Sequence, residues 1–575
     1  MRIVDKAIKT DVLVVGGGGA AAKAALKANK SGADVLMLVK GEFGKCGATV
    51  YKISEKAGFN AVDGCGDSGD SFEVHYNDIM EAARSLANKR LARIVAEEAP
   101  IALKELEEIG MKFEKDNDKH YTRLGCFASR KRTHSMQNHG IQIVRSLQRE
   151  INKLDIKVKS NIRVVSLLVD KGSCFGAIGV DKEGNVFSIL AKATILATGG
   201  GGDLYKYNLN PPDITGDGFI LAYRAGAELI NMEFIQFGLA TISPTYTLID
   251  KWPWQFFHPR IYNRERKEFL DSYLPENISL QDCIQGKAEH FPFSTIDNSK
   301  YIDIGIEKEI MLGRGTEKRG VYMSLGVISD DQLEKVPMWP WKYSWFLSKG
   351  IDLKNDILEV GHFAHAFNGG VNINENACSA IDSLYAIGET AGGYCGANRL
   401  GGDMLAVCQI FGKRAGKNAA VRVKDRTDWY RHKKDIKDII ERNLESIKKI
   451  YNKKGSINPI TIKRRIQEVM HNNVSIIRSK DLLEKALKEL KIIRQVFEKD
   501  ANVENIQEFF LALDVENLIE LADIITNSAL LRKESRGSHY REDYPCEKEN
   551  LSYPIVTKLV LGERQSFFDK RIFDK

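Results

Sequence analysis

The clearest pattern in the chain is a run of apolar positions, Asp11-Val-Leu-Val-Val15, that reads as a parallel strand buried on both faces. Gly16-Gly-Gly-Gly-Ala-Ala21 follows at once, then an alanine-rich helical stretch to about Lys30. After Ser31-Gly32 a second strand, Ala33–Val39, completes a βαβ unit of the length that binds a dinucleotide. The pairing of strand and glycine recurs far downstream. Ala193–Thr198 runs into Gly199–Gly202, and Thr215-Gly-Asp-Gly218 and Leu384-Tyr-Ala-Ile-Gly-Glu389 carry the same strand-edge signature. Pieces distant in sequence therefore converge on one extended ligand. Two regions have a different texture. Gly238 to about Asp356 clusters aromatics at Trp252–Phe257 and Trp339-Pro-Trp341, which marks an insertion. Val421–Asp500 spaces Lys, Glu, Ile and Leu at helical intervals with Pro459 alone interrupting, and reads as a helix bundle; the charged stretch Glu484–Glu498 is a solvated helix face.

Length and composition narrow the choice. A chain of 575 residues exceeds one hydrophobic core, so several domains are expected. With 43% apolar and 28% charged residues it is neither disordered nor fibrous. A surplus of +7 over this length is too thin for a nucleic-acid binder but leaves small anions as ligands. The apolar runs are too short to cross a bilayer, and the charged opening Met1–Thr10 is unlike a signal peptide, so a cytoplasmic protein without a transmembrane segment is expected. The cysteines (46, 65, 126, 174, 283, 378, 395, 408 and 546) form no Cys-x-x-Cys pair and no zinc-ligand spacing; reduced thiols and no bound metal are the expectation.

The glycines have a physical purpose in this context. Gly16 permits the tight turn, Gly18 lets the backbone approach a pyrophosphate, the helix start at Gly19 and Ala20 aims amides at the phosphates, and small Ala21 lets helix and strand pack. The end of the second strand carries Lys40-Gly41 where an acid for the adenosine ribose is usual, which weakens an NAD reading. The second glycine-terminated strand, Ala197-Thr198-Gly199, shifts the balance to FAD.

These segments, with Met232-Glu-Phe-Ile-Gln-Phe237, Gly396-Ala-Asn-Arg-Leu-Gly-Gly402, and Arg532-Lys-Glu-Ser-Arg-Gly-Ser-His-Tyr-Arg541 followed by Asp543-Tyr-Pro545, resemble over most of the chain the flavoprotein subunits of succinate dehydrogenase and fumarate reductase, a family that includes L-aspartate oxidase and adenylylsulfate reductase. The resemblance implies an α/β fold: a Rossmann-like FAD-binding domain (1–237 and 357–420), an inserted α+β capping domain (238–356) and a C-terminal helical domain (421–575). It implies hydride transfer between flavin N5 and a carbon of a small carboxylate-bearing substrate. Arg399 matches the family's carboxylate-binding arginine, and His365, four residues before Gly369-Gly370, matches its histidine, with His362 as a competitor. Glu389, Asp217, Gly47, Thr49, Asp403, Met404 and Leu405 fall at flavin-contacting positions.

The chain departs from the family pattern in several places. Ala48 stands where membrane-bound relatives carry a histidine joined to the flavin, so FAD is expected to be noncovalent. Gly238-Leu239 replaces His-Pro, no Thr-Glu pair is recognisable in the cap, and Ile304 falls where the proton-delivering arginine is expected. Succinate and fumarate are thereby disfavoured as substrates, and His258–Arg266 is the candidate source of a replacement proton donor. Cys126 stands near a flavin-facing turn, as an inert thiol or an electron relay, and an anionic Asp403 would disfavour reduced anionic flavin. CH–CH to alkene interconversion is the leading expectation. Amine oxidation as in L-aspartate oxidase stands beside it, and so does electron transfer with an iron–sulfur subunit, in the manner of adenylylsulfate reductase.

Overall fold

The computed structural model describes residues 2–4, 7–52, 56–136, 139–426 and 433–570. The first apolar run forms the strand Ile8–Val15, with Val12–Val15 buried. It lies parallel between Val35–Val39 and Asn185–Leu196 in an eight-stranded sheet. The register sets Val15 opposite Leu196, so the two glycine turns that follow these strands meet. Gly16 adopts φ +133°, and a Cβ there would stand 2.1 Å from the Ala197 carbonyl oxygen, an approach only glycine allows. Leu384–Ala386 pairs in parallel with the last residues of Asn185–Leu196, which brings Gly388-Glu389 to the same edge.

The helix Gly19–Lys30 lies against the helix Asp403–Asp425 at close range. Alanines line one and glycines the other: a Cβ on Gly412 would come within 2.9 Å of Ala20 O, and one on Gly416 within 2.4 Å of Ala24 O. Small residues on both helices thus let two N-termini converge on one edge of the sheet.

The insertion folds around its own aromatic core of Trp252, Trp254, Phe257, Trp339 and Phe346. Its sheet is five-stranded, and the two long strands, Ile235–Ser243 and Leu358–Phe367, pair antiparallel and extend beyond 238–356 at both ends. These strands are the connection to the nucleotide domain, and they carry Gln236 and His365.

The C-terminal region contributes helices Lys433–Tyr451, Pro459–Asn473, Lys480–Asp500 and Ile506–Leu531. Asn458, Ser479 and Asn505 cap the last three through their side chains. Ile506–Leu531 is apolar on most of its circumference and is accordingly buried. The region is not helical throughout. Ile555–Val560 and Glu563–Phe568 form a hairpin closed by Leu561 (φ 52°) and Gly562 (φ 83°), the positive-φ pair of a type I′ turn. It completes a five-stranded sheet with Leu229–Ile230, Gly370–Asn372 and Ala391–Gly392, strands too short to read from sequence. Among the described residues no helix is long and apolar enough to cross a membrane.

Candidate active site

Where the glycine turns and the two helix N-termini meet, a cleft of about 340 Å³ opens beneath the inserted domain. Gly16, Gly18, Gly19, Ala20, Lys40, Gly47, Ala48, Thr49, Ala197, Thr198, Gly199, Asp217, Glu389, Met404 and Leu405 all line it, together with His365 and Arg399. Ala21, Gly41 and Asp403 do not. Ala21 is fully buried in the helix–sheet core, and Gly41 closes a turn against Cys46. Asp403 turns to the back of the wall, where it accepts a hydrogen bond from Asn60 Nδ2 at 2.7 Å and lies 3.0 Å from His75 Nε2. Both contacts are to Oδ1, and the residue does not line the cleft.

The cleft is built for an extended anion-bearing nucleotide. Neither the helix starting at Gly19 nor that starting at Asp403 has a cap from its N-cap residue; the Gly19 and Asp403 amides bond Thr49 Oγ1 and Leu400 O, and the amides that follow in each first turn are left for a ligand. A Cβ on Gly18 would meet only Thr49 Oγ1, at 3.3 Å, so the glycine face opens onto the cleft. Thr49 Oγ1 accepts the Gly19 N–H at 3.2 Å and fixes this turn.

Charge at one end is held internally. Lys40 Nζ donates to Thr215 Oγ1 at 2.7 Å and pairs with Asp217 at 3.2 Å, while Arg163 bridges Asp217 and Asp514 at 2.7 Å each. Burial favours the protonated acid, yet Arg163 and Lys40 outweigh it and hold Asp217 well below the usual carboxylate range. Glu389 accepts the Phe367 N–H at 2.9 Å, and its carboxyl abuts Gly200; burial pushes its pKa up.

The other end carries the features of a carboxylate site. Arg399 Nη2 donates to Gln236 Oε1 at 3.1 Å and to His365 Nε2 at 3.2 Å. An arginine has no acceptor, so His365 Nε2 must accept and the imidazole proton resides on Nδ1. Burial, then the Arg399 charge, pulls the His365 pKa down to about 3, which makes it a neutral donor. Two buried donors, Arg399 Nε and His365 Nδ1, have no partner among the described residues. Such orphans at a cleft wall fit an acceptor that arrives with a ligand.

His362, the competing histidine, lies elsewhere: its Nδ1 is 2.8 Å from Glu307 and its Nε2 2.9 Å from Asp303, in a buried cluster with Lys287 and Arg319. Ile304 packs in the core, and none of His258–Arg266 reaches the cleft: His258 is exposed, and Arg266 stacks on Tyr322. The titratable groups that do line the cleft from the inserted domain are Asp250 and Lys251. Arg123 joins them from the small strand Thr122–Leu124, with its Nη1 3.7 Å from Asp250 and its buried Nε without a partner among the described residues. Sequence reasoning missed Arg123, although it stands three residues before the Cys126 turn. Cys126 lines the cleft too, and burial raises its pKa, so it is a neutral thiol there.

Sequence comparison agrees with this geometry. The profile of the FAD binding domain family matches residues 11–249 and 346–405, and that of the fumarate reductase flavoprotein C-term matches 463–564. The chain is 36% identical to an uncharacterized FAD-dependent oxidoreductase of Methanocaldococcus jannaschii, over 96% of each chain. It is 33% identical to a subunit of the fumarate reductase (CoM/CoB) of Methanothermobacter marburgensis, over 93% of this chain and 94% of that one. The solved structure of Mycobacterium smegmatis Sdh1 in complex with UQ1 is similar with a TM-score of 0.86 at 29% identity, covering 99% of this chain and 94% of that one. The protein is an FAD-dependent oxidoreductase. It belongs to the family of fumarate reductase and succinate dehydrogenase flavoproteins.

Proposed function

We propose that the protein interconverts a CH–CH bond and its alkene in a small carboxylate-bearing substrate held between Arg399 and His365. A bound FAD supplies the two-electron, hydride-level chemistry. The observation that carries the reading is the pair of unmet donors, Arg399 Nε and His365 Nδ1, at the cleft wall. Arg399 Nε is a charge-assisted donor for a carboxylate oxygen, and Gln236 and His365 fix the plane of the guanidinium by accepting from Nη2. Neutral His365 adds a donor that does not compete for charge. Arg123 supplies a second cation to the cleft, suited to a second anionic group on the substrate. Lys251, whose Nζ donates to Leu124 O at 2.9 Å, and Asp250 are the groups of the inserted domain placed to manage the proton.

FAD is held by the glycine cradle without a covalent bond, since Ala48 offers no nucleophile at its position. Denaturation with acid should release intact FAD. Electrons are exchanged with a partner chain that bears iron–sulfur clusters; the cysteines of this chain are free and scattered, and the M. marburgensis relative is itself named as one subunit of its enzyme. The test is anaerobic turnover with reduced or oxidised dyes against a panel of enoates, saturated acids and amino acids. Turnover with an enoate or its saturated acid, lost in Arg399→Ala at unchanged flavin content, is expected. Turnover confined to amino acids, or equal in the variant, refutes the reading.

A further inference from the structure

Away from the cleft, Asp63, His120 and His134 bring one ligand atom each to within 4.8 Å of one another. They come from separate segments: Asp63 from the loop after Ala57–Asn60, His120 from the hairpin strand Lys119–His120, and His134 from Lys131–Met136. Phe113 packs both imidazoles, with ring centroids 5.7 Å from His120 and 5.8 Å from His134. His134 is fully buried, while the side chains of His120 and Asp63 keep 12% and 16% of their exposure, enough for an ion to enter.

The hydrogen-bond partners of the two imidazoles turn a pair of nitrogens toward one carboxylate oxygen. His134 Nδ1 stands 3.0 Å from Arg132 O and 3.2 Å from Phe59 O, both pure acceptors, so this nitrogen carries the hydrogen. His120 Nε2 stands 2.9 Å from Glu107 Oε1 and carries its hydrogen for the same reason. The two remaining nitrogens, His134 Nε2 and His120 Nδ1, converge on a single oxygen, Asp63 Oδ2, at 2.9 and 2.8 Å. In neutral rings these are lone pairs facing a carboxylate. The arrangement closes electrically only with positive charge between them, supplied by two extra protons or by one divalent ion. The outer partners fit the ion: a metal-ligating histidine characteristically gives its other N–H to a carboxylate or a backbone carbonyl, the roles of Glu107 and of the Arg132 and Phe59 carbonyls here.

We propose that Asp63, His120 and His134 bind a zinc-like divalent ion, with Glu107 and the Arg132 and Phe59 carbonyls orienting the imidazoles. Two imidazoles and a carboxylate suit zinc and its neighbours better than magnesium or calcium. Tetrahedral bonds of zinc length separate ligand atoms by about 3.3 Å, so the two contacts of the imidazoles with Asp63 Oδ2 open by a few tenths of an ångström, and water takes the fourth position. The ion fastens the loop after Asn60 and the Lys119–His120 hairpin to the small sheet of Ala57–Asn60, Lys131–Met136 and Thr122–Leu124. That sheet supplies Gly58, Arg123 and Thr133 to the cleft wall, so the clip steadies one side of the active site.

The test uses full-length, FAD-loaded protein, dialysed against a chelator and then against micromolar zinc, with metal per chain measured by elemental analysis. One equivalent is expected. Asp63→Asn and His120→Gln should each weaken zinc binding by at least about tenfold, and Glu107→Gln by about 10- to 100-fold. His258→Asn, at an exposed histidine outside the cluster, should keep the full equivalent. Flavin content checks the fold of each variant, and His120→Gln, at a partly exposed position, carries the test should Asp63→Asn misfold. Absence of stoichiometric zinc in the wild type, or an equivalent that survives His120→Gln, overturns the proposal.

Discussion

At the scale of single residues, the protein separates two histidines three positions apart by what faces them. His365 meets only a guanidinium and burial, and is neutral; His362 meets two carboxylates. Burial by itself would lower the His362 pKa, but the hydrogen bonds and charges of Asp303 and Glu307 prevail and raise it to about 9. A group whose pKa rises on folding contributes stability that is complete below its unfolded value, about 6.5, and is lost as pH climbs through the folded value. The melting-temperature gap between wild type and His362→Asn should therefore narrow between about pH 6.5 and 9.5. A gap constant over that range would show that His362 does not titrate in the cluster. Period-two alternation would put residues three apart on opposite faces, but the ladder shifts register at His365, between the pairs Phe237–Ala364 and Gln236–Ala366, and this bulge sets where His365 points while His362 stays in the regular part of the strand. Sequence alone could not say which histidine reaches the cleft, because the deciding partners, Asp303, Glu307 and Arg399, lie far away in the chain.

At the scale of elements, the site depends on how closely two helices approach. Alanine is the better helix former at an interior glycine by about 1 kcal/mol, and on propensity alone Gly416→Ala would stabilise the helix Asp403–Asp425. The 2.4 Å approach to Ala24 O reverses the sign, because the helices must part, and such overpacking costs about 1–3 kcal/mol. Thermal denaturation of Gly416→Ala should show a lower midpoint, accompanied by weaker FAD retention, since both uncapped N-termini move with their helices. An unchanged midpoint with full flavin would separate the helix contact from the cradle. The glycine turns were legible because each is a local signal at a strand end. The direction of the Asp403 side chain was not legible for the complementary reason: its neighbours in sequence are those of a flavin-contacting turn, but the side chain leaves the first helical turn on the face toward His75 and Asn60.

At the scale of the whole molecule, nucleotide domain, inserted domain and helical region were all visible as changes of pattern along the chain. Invisible were the contacts that join them. The hairpin Ile555–Phe568 is short, and its sheet partners are strands of two or three residues whose pairing exists only in the folded chain. Arg123 and the trio of Asp63, His120 and His134 were missed for the same reason, since no fixed spacing connects residues delivered by separate loops and strands. What the fold accomplishes is to bring the long strands of the inserted domain, with Gln236 and His365, against the segment bearing Arg399 at the end of a nucleotide cleft. The most direct measurement of that arrangement is a spectral titration of the oxidised holoprotein with saturated mono- and dicarboxylates, following the perturbation of flavin absorbance. The wild type should show saturable perturbation, and Arg399→Ala, with the same flavin content, should bind about 10- to 100-fold more weakly, the loss expected when hydrogen bonds to a charged group are removed. Titration curves that coincide in the two proteins would contradict the assignment of Arg399 as the carboxylate anchor.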